Sequence, residues 1–297
     1  MNIQHTLSLK DLSTFGVGGP LQILVTVSTP EELIEAVRTY PTYRVFAGGS
    51  NIIFPDEGMD GLIRYQSTTI EVHDEHISVH AGHILMDLIS AAIQNGLAGI
   101  ETLSGIPGTI GGAVVGNAGA YGQSIAQSVE TVTAWDGTNT IALSQEECHF
   151  SYRHSIFKEK PLIVLSVVLK LHKGDEKLLS ETSTDIVHIR EKKYKPGIKC
   201  PGSFFKNILA SECSDEILSR IDTAKIVSGK IPAGYLLTEV GARGIQVGDI
   251  EVADFHGNLL INKGNGTSAQ VKELARILKE KVHDKFGITL EEEVRYF

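Results

Sequence analysis

The chain has 297 residues, 42% hydrophobic and 21% charged, an ordinary composition for a globular protein and enough chain for about two domains with real cores. Its net charge of -9 argues against nonspecific binding to nucleic acid or acidic membranes, though not against a local basic pocket for an anionic ligand. The opening MNIQHTLSLKD lacks the apolar core of a secretory signal, and no apolar run reaches membrane-spanning length, so the expectation is a cytoplasmic protein without membrane insertion. Cys148, Cys200 and Cys213 are odd in number, widely spaced and without a CxxC pair, which reads as reduced thiols and neither a disulfide framework nor a metal site.

In chain order, LQILVTV (21–27) predicts a strand. Thr29-Pro30-Glu31-Glu32 then resembles a capping box with proline at the first helical position, and Leu33, Ala36, Val37 and Tyr40 follow at helical spacing. A second strand, 43–47, runs into the loop Gly48-Gly49-Ser50-Asn51, which places that loop at a strand's carboxyl end, a common ligand position. TTIEVHD and HISVHAG alternate as a hairpin. Leu85, Leu88, Ile89, Ala92 and Ile93 form a helical face stopped at Gly96, and strands recur at 128–135 and 162–171, with Asp136-Gly137 marking a turn. Composition shifts at His172, after which a charged helix fills 173–195 and ends at Pro196-Gly197. Thr267 or Ser268 caps a last helix bearing Val271, Leu274, Ala275, Leu278 and Val282, stopped by Gly287, and ITLEEEVRYF reads as a final strand. The whole is an α+β pattern with a boundary near 173.

Glycine is densest in SGIPGTIGGAVVGNAGAYG, 104–122. So much backbone freedom in one ordered segment needs a reason, and close approach of backbone N–H groups to a pyrophosphate is one. Tight turns are the plainer explanation, and for a single glycine pair the better one. Two separate glycine loops favour a ligand. The nucleotide loop GxxxxGK[ST] is absent, and Gly16-Val17-Gly18-Gly19 precedes a strand where a dinucleotide fingerprint would follow one. Two loops from two lobes, clamping one extended pyrophosphate, fit better.

TFGVGGP (14–20), VFAGGSN (45–51), GIPGTIGGAVVGNAGAYG (105–122), FSYRHSIF (150–157), PGSFFKN (201–207) and LEEEVR (290–295) occur in this order. Together they resemble the UDP-N-acetylenolpyruvoylglucosamine reductase family, flavoenzymes of peptidoglycan precursor synthesis. The resemblance covers nearly the whole chain. It implies a two-lobed FAD-binding fold of the vanillyl-alcohol-oxidase-like type plus a C-terminal α+β substrate-binding domain. The corresponding boundaries are 1–66 and 67–172 for the lobes and 173–297 for the third domain, whose last strand is able to return to the lobes. It implies NADPH as hydride donor, noncovalent FAD, and UDP-N-acetylglucosamine enolpyruvate as the substrate reduced to UDP-N-acetylmuramate.

The same resemblance implies site residues. Gly48, Gly49, Ser50 and Asn51 would hold the FAD pyrophosphate, together with Gly105, Gly108, Thr109, Gly112, Asn117, Ala118 and Gly119. Ser203 matches the proton donor, Arg153 the catalytic arginine whose planar fork suits a carboxylate, and Glu293 the terminal glutamate. On local grounds Ser203 is a turn serine, Arg153 a solvated surface residue, and Glu291, Glu292 and Glu293 a solvated charge run; the motifs favour the functional readings. Lys206, Asn207, Tyr121, Tyr152 and His256 are the further substrate-binding candidates. For His256 and Asn262, in DFHGNLLIN, a structural hydrogen bond is an equal reading. Ile208 stands where the family often has proline, and the passage from 162–171 into the charged helix leaves little room for the lid of the longer subtype, so the chain resembles the shorter one. Two alternatives stay open: another oxidoreductase or oxidase on the same fold, with His83 a candidate for covalent flavin, and a nucleotide-binding protein without catalysis.

Overall fold

The computed structural model describes residues 1–297, which form two compact units. The first comprises residues 1–7, 21–49 and 60–192, the second 8–20, 50–59 and 193–297. Both mix helix and strand, as the α+β pattern predicts. No helix is long and apolar enough to cross a membrane.

The first unit holds two large sheets beside two short strand pairs, Gly119–Ala120 with Gln123–Ser124 and Leu97–Ala98 with His172–Lys173. One has the strand order Asn2–Ser8, Pro20–Val27, Met59–Tyr65, Arg44–Phe46, the last two paired in parallel. The helix Pro30–Thr39 connects two of these strands. Thr29 accepts from the Glu32 amide and proline opens the first turn, but the Glu32 carboxylate reaches past Thr29 to the Ser28 amide at 2.9 Å, so the reciprocal capping box is not closed. The other sheet runs Thr140–Ser144, Val129–Trp135, Ile163–Lys170, His76–His80, Ile70–His73, antiparallel throughout. The inward residues Ile77, Val79, Val132, Ala134, Val167 and Leu169 pack with Leu85, Leu88, Ile89 and Ala92 of the helix Leu85–Gln94 in one continuous core. Asn95 ends that helix and Gly96 follows at φ +61, the left-handed stop read from the sequence.

The charged helix forms as Glu176–Lys193. It belongs to the first compact unit, so by contacts the boundary falls at 192/193, twenty residues past the composition shift. The physical reason is its buried stripe of Leu179, Ser183 and Ile186, where Ser183 Oγ lies 2.7 Å from Ser104 Oγ of the glycine-rich segment.

The second unit is built on a three-stranded sheet, Gln246–Val247, Ile250–Val252 and Leu260–Asn262, against the helix Ser268–Phe286. Thr267 and Gln270 close a true capping box there, and Gly287 ends the helix at φ +72. Asp56 accepts from the Ser268 and Ala269 amides at 2.7 and 2.9 Å, neutralising the helix's first orphan donors. The terminal segment departs from expectation. Of ITLEEEVRYF, Arg295–Tyr296 alone forms a strand, parallel to Ile52–Ile53. The preceding glutamates instead give their backbone hydrogen bonds to the 203–206 loop, while Leu290 and Val294 are buried in the core.

Candidate active site

The two glycine loops meet. A Cβ on Gly48 would lie 2.9 Å from Gly108 Cα, closer than real Cβ contacts come, so glycine is required for this approach. Gly49, Gly105 and Gly108 hold φ of +62°, +73° and +111°. Neither Gly48 nor Gly49 donates its amide to a backbone carbonyl. The second loop is anchored from behind: Ile110 N donates to His83 O, Gly111 N to Ala81 O, and Leu85 N to Gly108 O. Thr109 is buried and caps the short helix Ile110–Gly116, accepting from Gly112 N, while Gly112 is exposed. Gly105 packs on the Arg190 side chain, where a Cβ would come within 3.1 Å of Cδ. This surface is fixed, nearly free of side chains and lined with amides, as a pyrophosphate requires.

Downstream, Asn117 at φ +41 ends the short helix. Its side chain bridges two segments, Nδ2 donating to Ser151 O at 2.7 Å and Oδ1 accepting from Ala126 N at 3.4 Å. Asn117 therefore acts here as a tie between the glycine run and the SYRHS turn. Ala118 joins the same tie through backbone bonds to Ala113 and Ile125. In that turn Arg153 sits at φ +55 and donates from Nη2 to Gly119 O at 3.0 Å, with its guanidinium 5.5 Å from the Tyr152 ring centre. Lys158 Nζ donates to Arg153 O at 2.8 Å and fixes the strained backbone from outside. Tyr121 is half exposed at φ +50. His83 is buried, its Nδ1 3.0 Å from Ile84 O.

In the second unit the stretch GSFFKN is held as a scaffold. Gly202 turns the chain at φ +87, and Ser203 bridges Leu259. Phe204 and Phe205 are buried. Asn258, itself 2% exposed, accepts from Phe205 N at 2.9 Å and donates to Phe205 O at 2.8 Å, imitating a strand. On the other side Glu293 N donates to Phe204 O, and Lys206 N to Glu291 O. Of the three glutamates, Glu291 pairs with Lys206 and Glu292 with Lys279. Glu293 O accepts from Asn51 Nδ2 at 3.0 Å, so the Asn51 side chain is committed to the terminal segment. Ser50 O accepts from Thr14 Oγ1 at 3.2 Å. Asn207 Oδ1 accepts from Ala233 N, capping the helix Ala233–Glu239. Ser203 Oγ lies 2.9 Å from Tyr194 Oη.

His256 and Asn262 both make hydrogen bonds within the fold. Asn262 donates to Phe15 O and Gly16 O and accepts from Gly264 N and Gly266 N, which exhausts its amide. His256 Nδ1 accepts from Asn258 N at 3.1 Å, the acceptor role of a neutral ring. Burial pushes its pKa down to about 4, and the Lys193 and Arg243 charges act the same way. The depressed folded value means that the stability from a neutral His256 is complete above the unfolded value near 6.5 and is lost as pH falls toward 4. Melting temperature is expected to fall across that window, and His256→Gln to flatten the slope. An unchanged slope in the variant would assign the acid sensitivity to other groups.

Two residues at this loop, Tyr194 and Asn258, lie outside the set that the motifs mark. Asn258 carried a weak signal, lying between His256 and Asn262 in the same motif. Tyr194 carried none.

A fold with a glycine cradle of this kind matches the family model of the FAD binding domain over residues 20–142, and residues 193–297 match the C-terminal domain model of UDP-N-acetylenolpyruvoylglucosamine reductase. The class is thus that of FAD-dependent oxidoreductases. The UDP-N-acetylenolpyruvoylglucosamine reductase of Solibacter usitatus is 39% identical over 99% of this chain and 96% of its own, and that of Syntrophomonas wolfei 33% identical over 97% and 92%. The crystal structure of the enzyme from Thermus caldophilus superimposes with a TM-score of 0.77 at 32% identity, covering 100% of this chain and 99% of that one. The chain belongs to the UDP-N-acetylenolpyruvoylglucosamine reductase family.

Proposed function

We infer that the protein reduces UDP-N-acetylglucosamine enolpyruvate to UDP-N-acetylmuramate, with NADPH as reductant, in peptidoglycan precursor synthesis in the cytoplasm. The observation that carries this is kinship over the full length, 39% identity across 99% of the chain. The test is direct. NADPH added anaerobically should bleach the flavin absorbance, UDP-N-acetylglucosamine enolpyruvate should restore it, and the product should gain two hydrogens by mass. Restoration by oxygen alone, with the UDP-sugar inert, would make the protein an oxidase on the same fold.

The residues present fit FAD, because the Gly48–Gly108 approach leaves backbone where a side chain would block phosphate. Gly48 and Gly49, continued by Ser50 and Asn51, would hold the pyrophosphate with Gly105, Gly108, Thr109, Gly112 and Gly119. Asn117 and Ala118 would hold the run's shape. When bound, FAD carries hydride from NADPH to the vinyl carbon of the substrate. We assign residues 1–66 and 67–172 to flavin binding and the C-terminal part to substrate. Addition of hydride leaves charge on the carbon beside the substrate carboxylate, delocalised into it. Arg153 would stabilise that charge, and Ser203 Oγ would deliver the proton that quenches it. Glu293 would act on the same substrate, and Lys206, Tyr121 and Tyr152 would position it. Asn207 and His256 would act through the loops they hold.

Gly48→Ala tests the cradle. The added Cβ must separate two backbones, and the expectation is about tenfold weaker FAD binding, equivalent to about 1.4 kcal/mol. Purification of that variant fully flavin-loaded, with unchanged affinity on titration of the apoprotein, would remove Gly48 from the cofactor site.

A further inference from the structure

We propose that Tyr194 is a positioning residue for Ser203, donating its phenolic hydrogen into Ser203 Oγ so that the serine's own hydrogen is aimed at the substrate and is replaced as it leaves. This rests on the reading of Ser203 as proton donor. The observation is the 2.9 Å contact between Tyr194 Oη and Ser203 Oγ, two hydroxyls with one hydrogen between them.

Which oxygen donates follows from chemistry. If Ser203 gave its hydrogen to Tyr194, the serine would present only lone pairs to the substrate and would have nothing to donate. If Tyr194 donates, both Ser203 lone-pair and hydrogen directions are set at once. A phenol is also a much stronger acid than an alkanol, so it is the better partner for an oxygen turning into an alkoxide. Lys206 is the other nearby candidate by sequence, but its ammonium is turned to Glu291.

The local structure holds Tyr194 in this role. The tyrosine immediately follows the helix Glu176–Lys193, with Lys193 Nζ 4.9 Å from its ring centre. The chain then turns at Gly197, φ +83, with Ile198 N donating to Lys195 O, and comes back to Gly202 and Ser203. Ser203 is fixed from the other side by its bridge to Leu259 and by the Asn258 clamp on Phe205. The hydroxyl pair therefore joins two stretches of backbone nine residues apart across this turn.

The step balances. The Ser203 O–H bond breaks as a C–H bond forms at the carbon beside the substrate carboxylate, using the electron pair that hydride addition left there. The Tyr194 O–H hydrogen moves to Ser203 Oγ, and water returns a proton to the phenolate afterward.

The experiment compares Tyr194→Phe, Ser203→Ala and the double variant as FAD-loaded enzymes in stopped flow. For Tyr194→Phe, the melting temperature and the rate of bleaching by NADPH should match the parent. Reoxidation by UDP-N-acetylglucosamine enolpyruvate should slow by about 10–100-fold, a fraction of the loss typical of a general acid. The double variant should reoxidise no more slowly than Ser203→Ala, since the tyrosine has nothing left to act on. In mixtures of light and heavy water the parent should show two protons in motion and Tyr194→Phe one, a signature that a merely structural loss would not produce. Parental reoxidation in Tyr194→Phe alongside a slow Ser203→Ala would overturn this inference and leave the proton-donor reading intact. Additive losses in the double variant, or equal slowing of both half-reactions, would overturn it as well. Parental reoxidation in Ser203→Ala would remove both readings together.

Discussion

Ser203→Ala is expected to leave bleaching by NADPH near its parental rate while slowing reoxidation by the enolpyruvyl substrate about 10²–10⁴-fold, the range for loss of a general acid. The two half-reactions separate because a proton is required only in the second, at the carbon beside the carboxylate. The variant should also fold. The loop is held by buried Phe204 and Phe205, by the two-sided Asn258 clamp and by the Glu293 amide on Phe204 O, none of which uses the serine hydroxyl. Cysteine at 203 should retain more activity than alanine, since a thiol is a stronger acid of similar reach. Stopped-flow absorbance reads both steps, and equal slowing of the two would assign Ser203 to folding or flavin placement.

Much of this loop's surroundings was legible only where the signals were local. The helix Ser268–Phe286 announced itself fully, because its cap at Thr267, its apolar period and its stop at Gly287 all lie within it. The terminal ITLEEEVRYF carried strand-like residues yet formed a strand only at Arg295–Tyr296, since its partners are a loop some ninety residues earlier and the two-residue strand Ile52–Ile53. No local pattern encodes such partners.

The same limit explains the candidate residues. Asn117 and Asn262 fall in motifs rich in site residues; the Asn262 amide is used up on backbone groups of this chain, while Asn117 spends one donor and one acceptor on Ser151 O and Ala126 N. A sequence cannot distinguish an asparagine that binds a ligand from one that ties two loops. Glu291 and Glu292 pair with Lys206 and Lys279, partners distant in sequence that nothing within the charge run encodes. Tyr194 meets Ser203 by way of the turn at Gly197, so neither residue type nor spacing pointed to it.

Arg153→Lys should cost about 10²–10³ in kcat/KM for the enolpyruvyl substrate although the charge is kept, the scale of losing one preorganised donor to a developing oxyanion and equivalent to roughly 2.7–4 kcal/mol. The position itself tolerates the change, because a φ of +55 strains lysine no more than arginine, and the Lys158 bond to the 153 carbonyl is untouched. What changes is the head group. A guanidinium presents five donors in a plane and holds the Gly119 carbonyl at 3.0 Å while offering a carboxylate a two-pronged face. An ammonium gathers three donors around one point, so a lysine keeps one contact at the other's expense. The loss should therefore fall mainly on kcat of the second half-reaction, with flavin content and bleaching by NADPH close to parental. Near-normal turnover would leave Arg153 a residue that merely shapes the turn. Loss of flavin from the purified variant would instead make its bond to Gly119 the important one, with Arg153 serving to hold the glycine cradle in place.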